Sequence, residues 1–185
     1  MIDLLDMQKQ LILAHLGEGD TAIDFTMGNG GDTLFLSRTV GETGKVYAFD
    51  IQDAALVSTA AFLESEGAPQ NYTLIKDSHH KVLDYVKGPI KAGMFNLGYL
   101  PRSGHKETTT MRVTTLPAVQ AALSLLDRDG VLLVAVYPGH EEGRLEGEML
   151  TEYFATLDRR HICVTCIKIV NSPTSPYFFV CETRA

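Results

Sequence analysis

Three aspartates and a short run of glycines, all within the first fifty residues, carry the clearest chemistry in the chain. Asp24 ends the apolar stretch Ala22-Ile23, and Gly28, Gly30 and Gly31 follow it. Asp50 ends a second apolar stretch, Val46-Tyr47-Ala48-Phe49, 19 residues after Gly31. The glycines let the backbone turn tightly and leave room for a ligand against it. An acid at the end of the second strand stands where a carboxylate holds ribose hydroxyls. Asp24 repels a pyrophosphate and suits an ammonium group. Thr33 occupies the place of the third glycine of a dinucleotide fingerprint, and no Gly-Lys-Ser/Thr is present, which excludes a P-loop. The ligand that joins a nucleoside to an α-ammonium and a sulfonium is S-adenosylmethionine. The residues assigned to it are Asp24, Thr26, Met27, Gly28, Asn29, Gly30, Asp32 and Thr33 at the turn, then Asp50, Ile51 and Gln52. Asp77, Ser78 and His79, and Asn96, complete the set from the next two strand ends.

A second chemical centre lies at Asn96-Leu97-Gly98-Tyr99, an Asn-x-x-Tyr sequence similar to the Asn-Pro-Pro-Tyr motif of methyltransferases that act on amino nitrogens. A nitrogen nucleophile must present its lone pair in line with the sulfonium methyl, so its N–H groups need acceptors in fixed directions. The Asn96 side-chain oxygen and the Leu97 carbonyl can supply them, and Tyr99 can stack on a planar base. Asn96, Leu97 and Tyr99 are therefore the catalytic candidates, acting mainly by positioning. Both prolines of the motif are absent. An Asn that simply closes a strand in a turn is the alternative reading. An aliphatic amine, with a pKa of about 10, arrives protonated. Tyr99, His105 and His140 are candidates to take that proton, and no spacing selects among them.

These residues need strands and helices to hold them. Leu4 to Leu16 has helical spacing and is expected across the sheet edge or over the cofactor mouth. Asp32 and Thr33 can cap a helix carrying Leu34, Phe35 and Leu36. The second strand is Lys45–Asp50, a helix covers Gln52 to Glu66, and Tyr72 to Lys76 is the third strand. The following Asp77-Ser78 fits either an adenine edge or a cap on a helix over 81–86. Ile90 to Leu97 is the fourth strand, 102–110 a mobile loop, Thr114 to Leu126 a helix and Gly130 to Tyr137 a strand for the sheet centre. Glu141 to Leu157 is the last helix. The strands His161 to Val170 and Tyr177 to Thr183 are joined by too short a link for a crossover, so they are antiparallel. Five alternations and a closing hairpin predict an α/β fold. Its form is Rossmann-like, of class I S-adenosylmethionine-dependent methyltransferase type, with a mostly parallel seven-stranded sheet and a C-terminal antiparallel β-hairpin.

At 185 residues with no linker or repeat, a single methyltransferase domain over 1–185 is expected. No apolar run of membrane-spanning length and no secretory signal are visible, and three cysteines argue against a disulfide framework. A cytoplasmic location follows as the expectation. Cys163 and Cys166 read as core thiols and no metal site is expected. The net charge of −7 is not that of a nonspecific nucleic-acid binder. Lys76, His79, His80 and Lys81, and Arg102, His105, Lys106 and Arg112, fit either a local basic footprint or ordinary solvated surface charge.

The blocks Asp24 to Leu34, Asn96 to Pro101, Thr108 to Thr110 and Tyr137-Pro138-Gly139-His140-Glu141-Glu142-Gly143 resemble a family of small bacterial methyltransferases labelled rRNA methylases. The resemblance covers nearly the whole chain. It implies methylation of 5-aminomethyl-2-thiouridine to 5-methylaminomethyl-2-thiouridine at the tRNA wobble position, with tRNA, through its anticodon stem-loop, as the partner. It also implies that the His140-Glu141-Glu142 region and the Arg102–Arg112 loop flank the RNA-facing mouth. Together with the Asn-x-x-Tyr reading, the residues expected to face the substrate are Gly98, Tyr99, Pro101, Arg102, His105, Lys106 and His140. A splayed anticodon loop is read by stacking and edge contacts, and a flipped uridine fits beside Tyr99. A homodimer would double any basic patch. Two other readings stand beside this one: methylation of an rRNA base or a small-molecule amine, and a nucleotide-binding protein without methyl transfer.

Overall fold

In a computed structural model, which describes residues 3–97 and 112–184, the chain forms one seven-stranded sheet with helices on both faces. The elements are α1 (Leu4–Leu13), β1 (Thr21–Asp24), α2 (Gly31–Val40), β2 (Lys45–Asp50), α3 (Asp53–Ser65) and β3 (Tyr72–Lys76). After a 3-10 turn at His79–Lys81 come α4 (Val82–Tyr85), β4 (Ile90–Asn96), α5 (Arg112–Leu125), β5 (Leu126–Val136), α6 (Glu141–Ala155), β6 (Ile162–Ile167) and β7 (Tyr177–Thr183). The strand order is β3-β2-β1-β4-β5-β7-β6. The first five strands are parallel, and β7 runs antiparallel between β5 and β6.

Alternation along each strand sorts the core into two layers. Ile23, Phe25, Phe49 and Phe95 face α5 and α6, where Phe25 stacks on Phe95 with ring centroids 4.0 Å apart. Ala22, Val46, Met94 and Ala135 face α1 and α2, against Ile12, Leu36 and Val40. Parity then fixes which face the site occupies. Asp24 is two residues beyond Ala22, and Asn96 is two beyond Met94. Tyr137 is two beyond Ala135, the residue that pairs with Asn96. All three side chains thus belong to the α1/α2 layer, at the carboxyl ends of the central strands.

The fold departs from expectation in several places. Helix α1 lies across the α1/α2 face near β5 rather than at the sheet edge, because its apolar side chains join the layer under β1, β4 and β5. Its Lys9 comes near Asp32 at the cofactor mouth, the other placement expected. The N-cap of α2 is Gly30, in the left-handed region at φ 86, with no side-chain cap. Asp32 and Thr33 do not cap the helix because both are drawn inward to other partners. β5 begins at Leu126, four residues earlier than expected, since Leu126 pairs with Ile90. Cys163 is only half-buried and Cys166 is exposed, because β6 is an edge strand; of the three thiols Cys181 alone is in the core. Among the described residues, no helix is long and apolar enough to cross a membrane.

Glycines mark two close approaches. A Cβ on Gly93 would come 2.6 Å from Leu132 Cδ1 and 3.0 Å from the Phe25 ring. A Cβ on Gly143 would come 2.1 Å from the Tyr137 carbonyl oxygen, so the first turn of α6 lies directly on the backbone that carries Tyr137.

Candidate active site

The site is assembled where β1, β2 and β4 end and α2 begins. Gly28 (φ 51) and Gly30 (φ 86) turn the chain through conformations that side chains rarely adopt. The turn is pinned from below: Met27 N–H donates to the Phe49 carbonyl at 2.9 Å and Gly30 N–H to the Met27 carbonyl at 2.7 Å. From the side, Thr59 Oγ1 of α3 donates to the Gly28 carbonyl at 3.0 Å. Ser58 Oγ lies 3.4 Å from the Asn29 side-chain oxygen. A Cβ on Gly31 would meet nothing within 4 Å, so this part of the turn faces open space.

Asp24 lies beneath the turn, 1% exposed. Its two oxygens accept from Thr26 N–H at 3.0 Å and from Thr33 Oγ1 at 2.7 Å. Burial, reinforced by the neighbouring Asp32, pushes its carboxyl well above the usual carboxylate range. Asp50, only partly exposed, accepts from Gly28 N–H at 3.2 Å and Gln52 N–H at 2.9 Å, which aims the carboxylate across the turn. Burial raises its pKa as well. Ile51 beside it is exposed.

Asn96 ties the fourth strand to this turn. Its backbone N–H donates to Thr26 Oγ1 at 2.8 Å. Its side-chain Nδ2 donates to Asp32, and its Oδ1 accepts from the Tyr137 hydroxyl at 3.3 Å. Asp32, Asn96 and Tyr137 therefore form one hydrogen-bonded chain across the mouth of the α1/α2 layer. Burial is the largest influence on the Asp32 carboxyl and raises its pKa, against Lys9 of α1 and the Asn96 hydrogen bond. Tyr137 was not selected from the sequence. Its signal was its place at the end of the most apolar strand, immediately before Pro138-Gly139.

The other candidates fall apart from this chain. Leu97, expected to act through its backbone carbonyl, buries its side chain in the opposite layer, and its N–H donates to the Ala135 carbonyl at 3.1 Å. Asp77 accepts from Ser78 N–H, from Lys81 and from the Tyr85 hydroxyl at 2.8 Å. The Lys81 hydrogen bond leads in drawing its carboxyl down to about 2. Ser78 stands at the N-cap position without a side-chain capping bond, its hydroxyl 2.7 Å from His80 Nδ1. His79 is buried, its Nδ1 3.2 Å from the Phe25 carbonyl, and burial lowers its pKa to about 4. His79 is thus no basic donor. Lys76 pairs with Asp53, Lys81 with Asp77, and Arg112 with Glu142, so most of the expected cationic footprint within the described residues is neutralised internally. His140 caps α6, its Nδ1 accepting from Gly143 N–H at 3.1 Å. Gly98, Tyr99, Pro101, Arg102, His105 and Lys106, and the loop expected over 102–110, lie outside the described residues.

The set of acids suits a cationic nucleoside. Carboxylates at Asp24, Asp32 and Asp50 surround a glycine turn whose open side is at Gly31, and this array would repel a pyrophosphate. This sheet order, with its reversed final strand and its site at the carboxyl ends of β1, β2 and β4, defines a Rossmann-like methyltransferase of class I. The chain belongs to the family described as "Putative rRNA methylase", whose model matches residues 46–183. It is 36% identical over 189 residues to "tRNA (mnm(5)s(2)U34)-methyltransferase, chloroplastic" of Arabidopsis thaliana, covering 94% of this chain and 69% of that protein. A "putative rRNA-methylase" from Clostridium thermocellum superposes with a TM-score of 0.94 at 37% identity, over 100% of this chain and 99% of that one. A "putative methyltransferase" from Streptococcus mutans, crystallised in complex with S-adenosylhomocysteine (SAH), does so with a TM-score of 0.89 at 34% identity, over 99% of each chain.

Proposed function

We propose that the chain, as a single methyltransferase domain over 1–185, methylates the exocyclic amine of 5-aminomethyl-2-thiouridine at the wobble position of a tRNA anticodon, using S-adenosylmethionine. The observation that carries the substrate is the similarity to the Arabidopsis tRNA methyltransferase over 94% of the chain. The cofactor is supported by the carboxylate-lined glycine turn and by the relative crystallised with SAH.

Bound S-adenosylmethionine supplies a methyl group already activated by its sulfonium. The protein's part is to bind and to orient. Asp50, aimed by Gly28 and Gln52, would hold the ribose hydroxyls, and the turn from Thr26 to Gly30 would approach the nucleoside. Asp24 and Asp32 supply negative potential for the cationic end. Asn96 offers its Oδ1 to an N–H of the acceptor amine, held in direction by Asp32 on one side and Tyr137 on the other. Fixing two reactants in line is where most of the acceleration arises. Docking of the anticodon stem-loop through Tyr99, Arg102, His105, Lys106 and His140, a homodimer that doubles the patch, and a cytoplasmic setting belong to the same proposal.

The cofactor half is tested by calorimetry. Wild-type protein is expected to bind SAH and not NAD. Asp50→Ala removes hydrogen bonds to a charged acceptor worth about 1.5–3 kcal/mol and should weaken SAH binding about 10- to 100-fold, with the fold retained. NAD binding without SAH binding, or unchanged SAH affinity in the variant, contradicts the assignment.

A further inference from the structure

The acceptor amine reaches the site as an ammonium, with no lone pair to give, since its pKa is about 10. One proton must leave before the methyl arrives. Of the candidates expected from sequence, His140 spends its Nδ1 on the Gly143 N–H, and Tyr99 and His105 lie outside the described residues. The hydrogen-bonded chain across the site mouth offers another acceptor.

We propose that Asp32 takes this proton, with Asn96 and Tyr137 aiming the pair: Asp32 receives the Asn96 Nδ2 hydrogen bond, which turns the Asn96 Oδ1 toward Tyr137 and the amine. The assignment rests on the functional reading above. The N–H bond of the ammonium breaks, its proton goes to the Asp32 carboxylate, and the electron pair stays on nitrogen. That pair forms the new N–C bond to the methyl, while the C–S bond breaks with its pair to sulfur. The product is a secondary ammonium, and Asp32 returns its proton to solvent, so one proton is released per methyl transferred.

The surroundings single out Asp32 among the acids. Asp24 is 1% exposed with both oxygens already accepting, and Asp50 accepts from two backbone N–H groups, Gly28 of the glycine turn and Gln52 of its own turn. Among the described residues, Asn96 is the one hydrogen-bond donor to Asp32. The groups facing Asp32 are Lys9 from α1, Asp24 from β1, Asn96 from β4 and Tyr137 beyond β5, with Asp50 behind Asp24. Burial makes its carboxylate a stronger base than an ordinary aspartate, and makes the Tyr137 phenol harder to ionise, which suits Tyr137 to donating.

Asp32→Asn keeps an oxygen that can accept from Asn96 and removes the base. Turnover at pH 7 should fall about a hundredfold, while SAH affinity, to which the Asp32 charge contributes, should fall by no more than about tenfold. The lost rate should return as pH rises and the free amine grows in solution. Tyr137→Phe, a positioning change, should cost about tenfold at pH 7 and leave the shape of the pH profile unchanged. In the protein alone, NMR titration of the Asp32 carboxyl should give a midpoint above the ordinary aspartate value. Wild-type turnover in the same assay separates failure of this assignment from failure of the functional reading. Near-wild-type turnover in Asp32→Asn, a loss of SAH affinity as large as the loss of turnover, or an ordinary Asp32 titration would each overturn it.

Discussion

Asn96→Ala is expected to lower turnover about a hundredfold while lowering SAH affinity far less. The main-chain anchor of this residue survives the change, because its N–H donates to Thr26 Oγ1 and β4 keeps its register with β5. The loss is confined to the amide, which holds Asp32 on one side and Tyr137 on the other. Misplacing a reacting nitrogen by about 1 Å costs on the order of a hundredfold. A cofactor held mainly by the glycine turn and Asp50 depends on that amide only through Asp32, so its affinity should fall far less than turnover. The measurement is single-turnover kinetics beside SAH calorimetry. Wild-type turnover would contradict the nitrogen-site account, and loss of SAH binding would move Asn96 into the cofactor site alone.

Gly143→Ala should be the most damaging conservative change in the described structure near the site. In an exposed helix, alanine in place of glycine gains about 1 kcal/mol. Here the new Cβ would stand 2.1 Å from the backbone oxygen of Tyr137 and 3.0 Å from His140 Cε1. A carbonyl cannot swing away as a flexible side-chain end can, so α6 or the end of β5 must move. Overpacking of this kind costs about 1–3 kcal/mol or more and outweighs the helical gain. At about 2–4 °C per kcal/mol for a chain of this size, the melting temperature should drop by about 5 °C. Tyr137 moves with its carbonyl, so turnover should fall by about tenfold beyond the stability loss, again with SAH binding kept. A variant as stable as wild type would show that α6 does not rest on Tyr137 as described.

The strands were legible because their patterns are local. Tyr72–Lys76 and Lys45–Asp50 were bounded correctly by apolar alternation between turn residues, and the short Ser-Pro link fixed the antiparallel hairpin. Asp50 was legible because a strand-end acid at that spacing from a glycine turn has few other uses. What escaped was set by neighbours distant in sequence. Asp32 and Thr33 look like caps until β4 and β1 bring Asn96 and Asp24 beside them. Tyr137 resembles the end of a core strand until its register places it against Asn96. Lys76 and Lys81 read as free cations, but Asp53 and Asp77 reach them across a helix start and a helical turn. Cys163 and Cys166 carry a core pattern on a strand that the sheet order leaves at its edge.

The central claim is the methyl acceptor. The most direct measurement is mass spectrometry of nucleosides from tRNA of a strain lacking the gene, after incubation with the protein and S-adenosylmethionine. The account predicts that 5-aminomethyl-2-thiouridine is converted to 5-methylaminomethyl-2-thiouridine, a gain of one methyl, and that no other nucleoside changes. Unmodified tRNA, with methyl transfer to rRNA or to a small amine instead, would contradict it while leaving the fold and the Asp32–Asn96–Tyr137 chain in place.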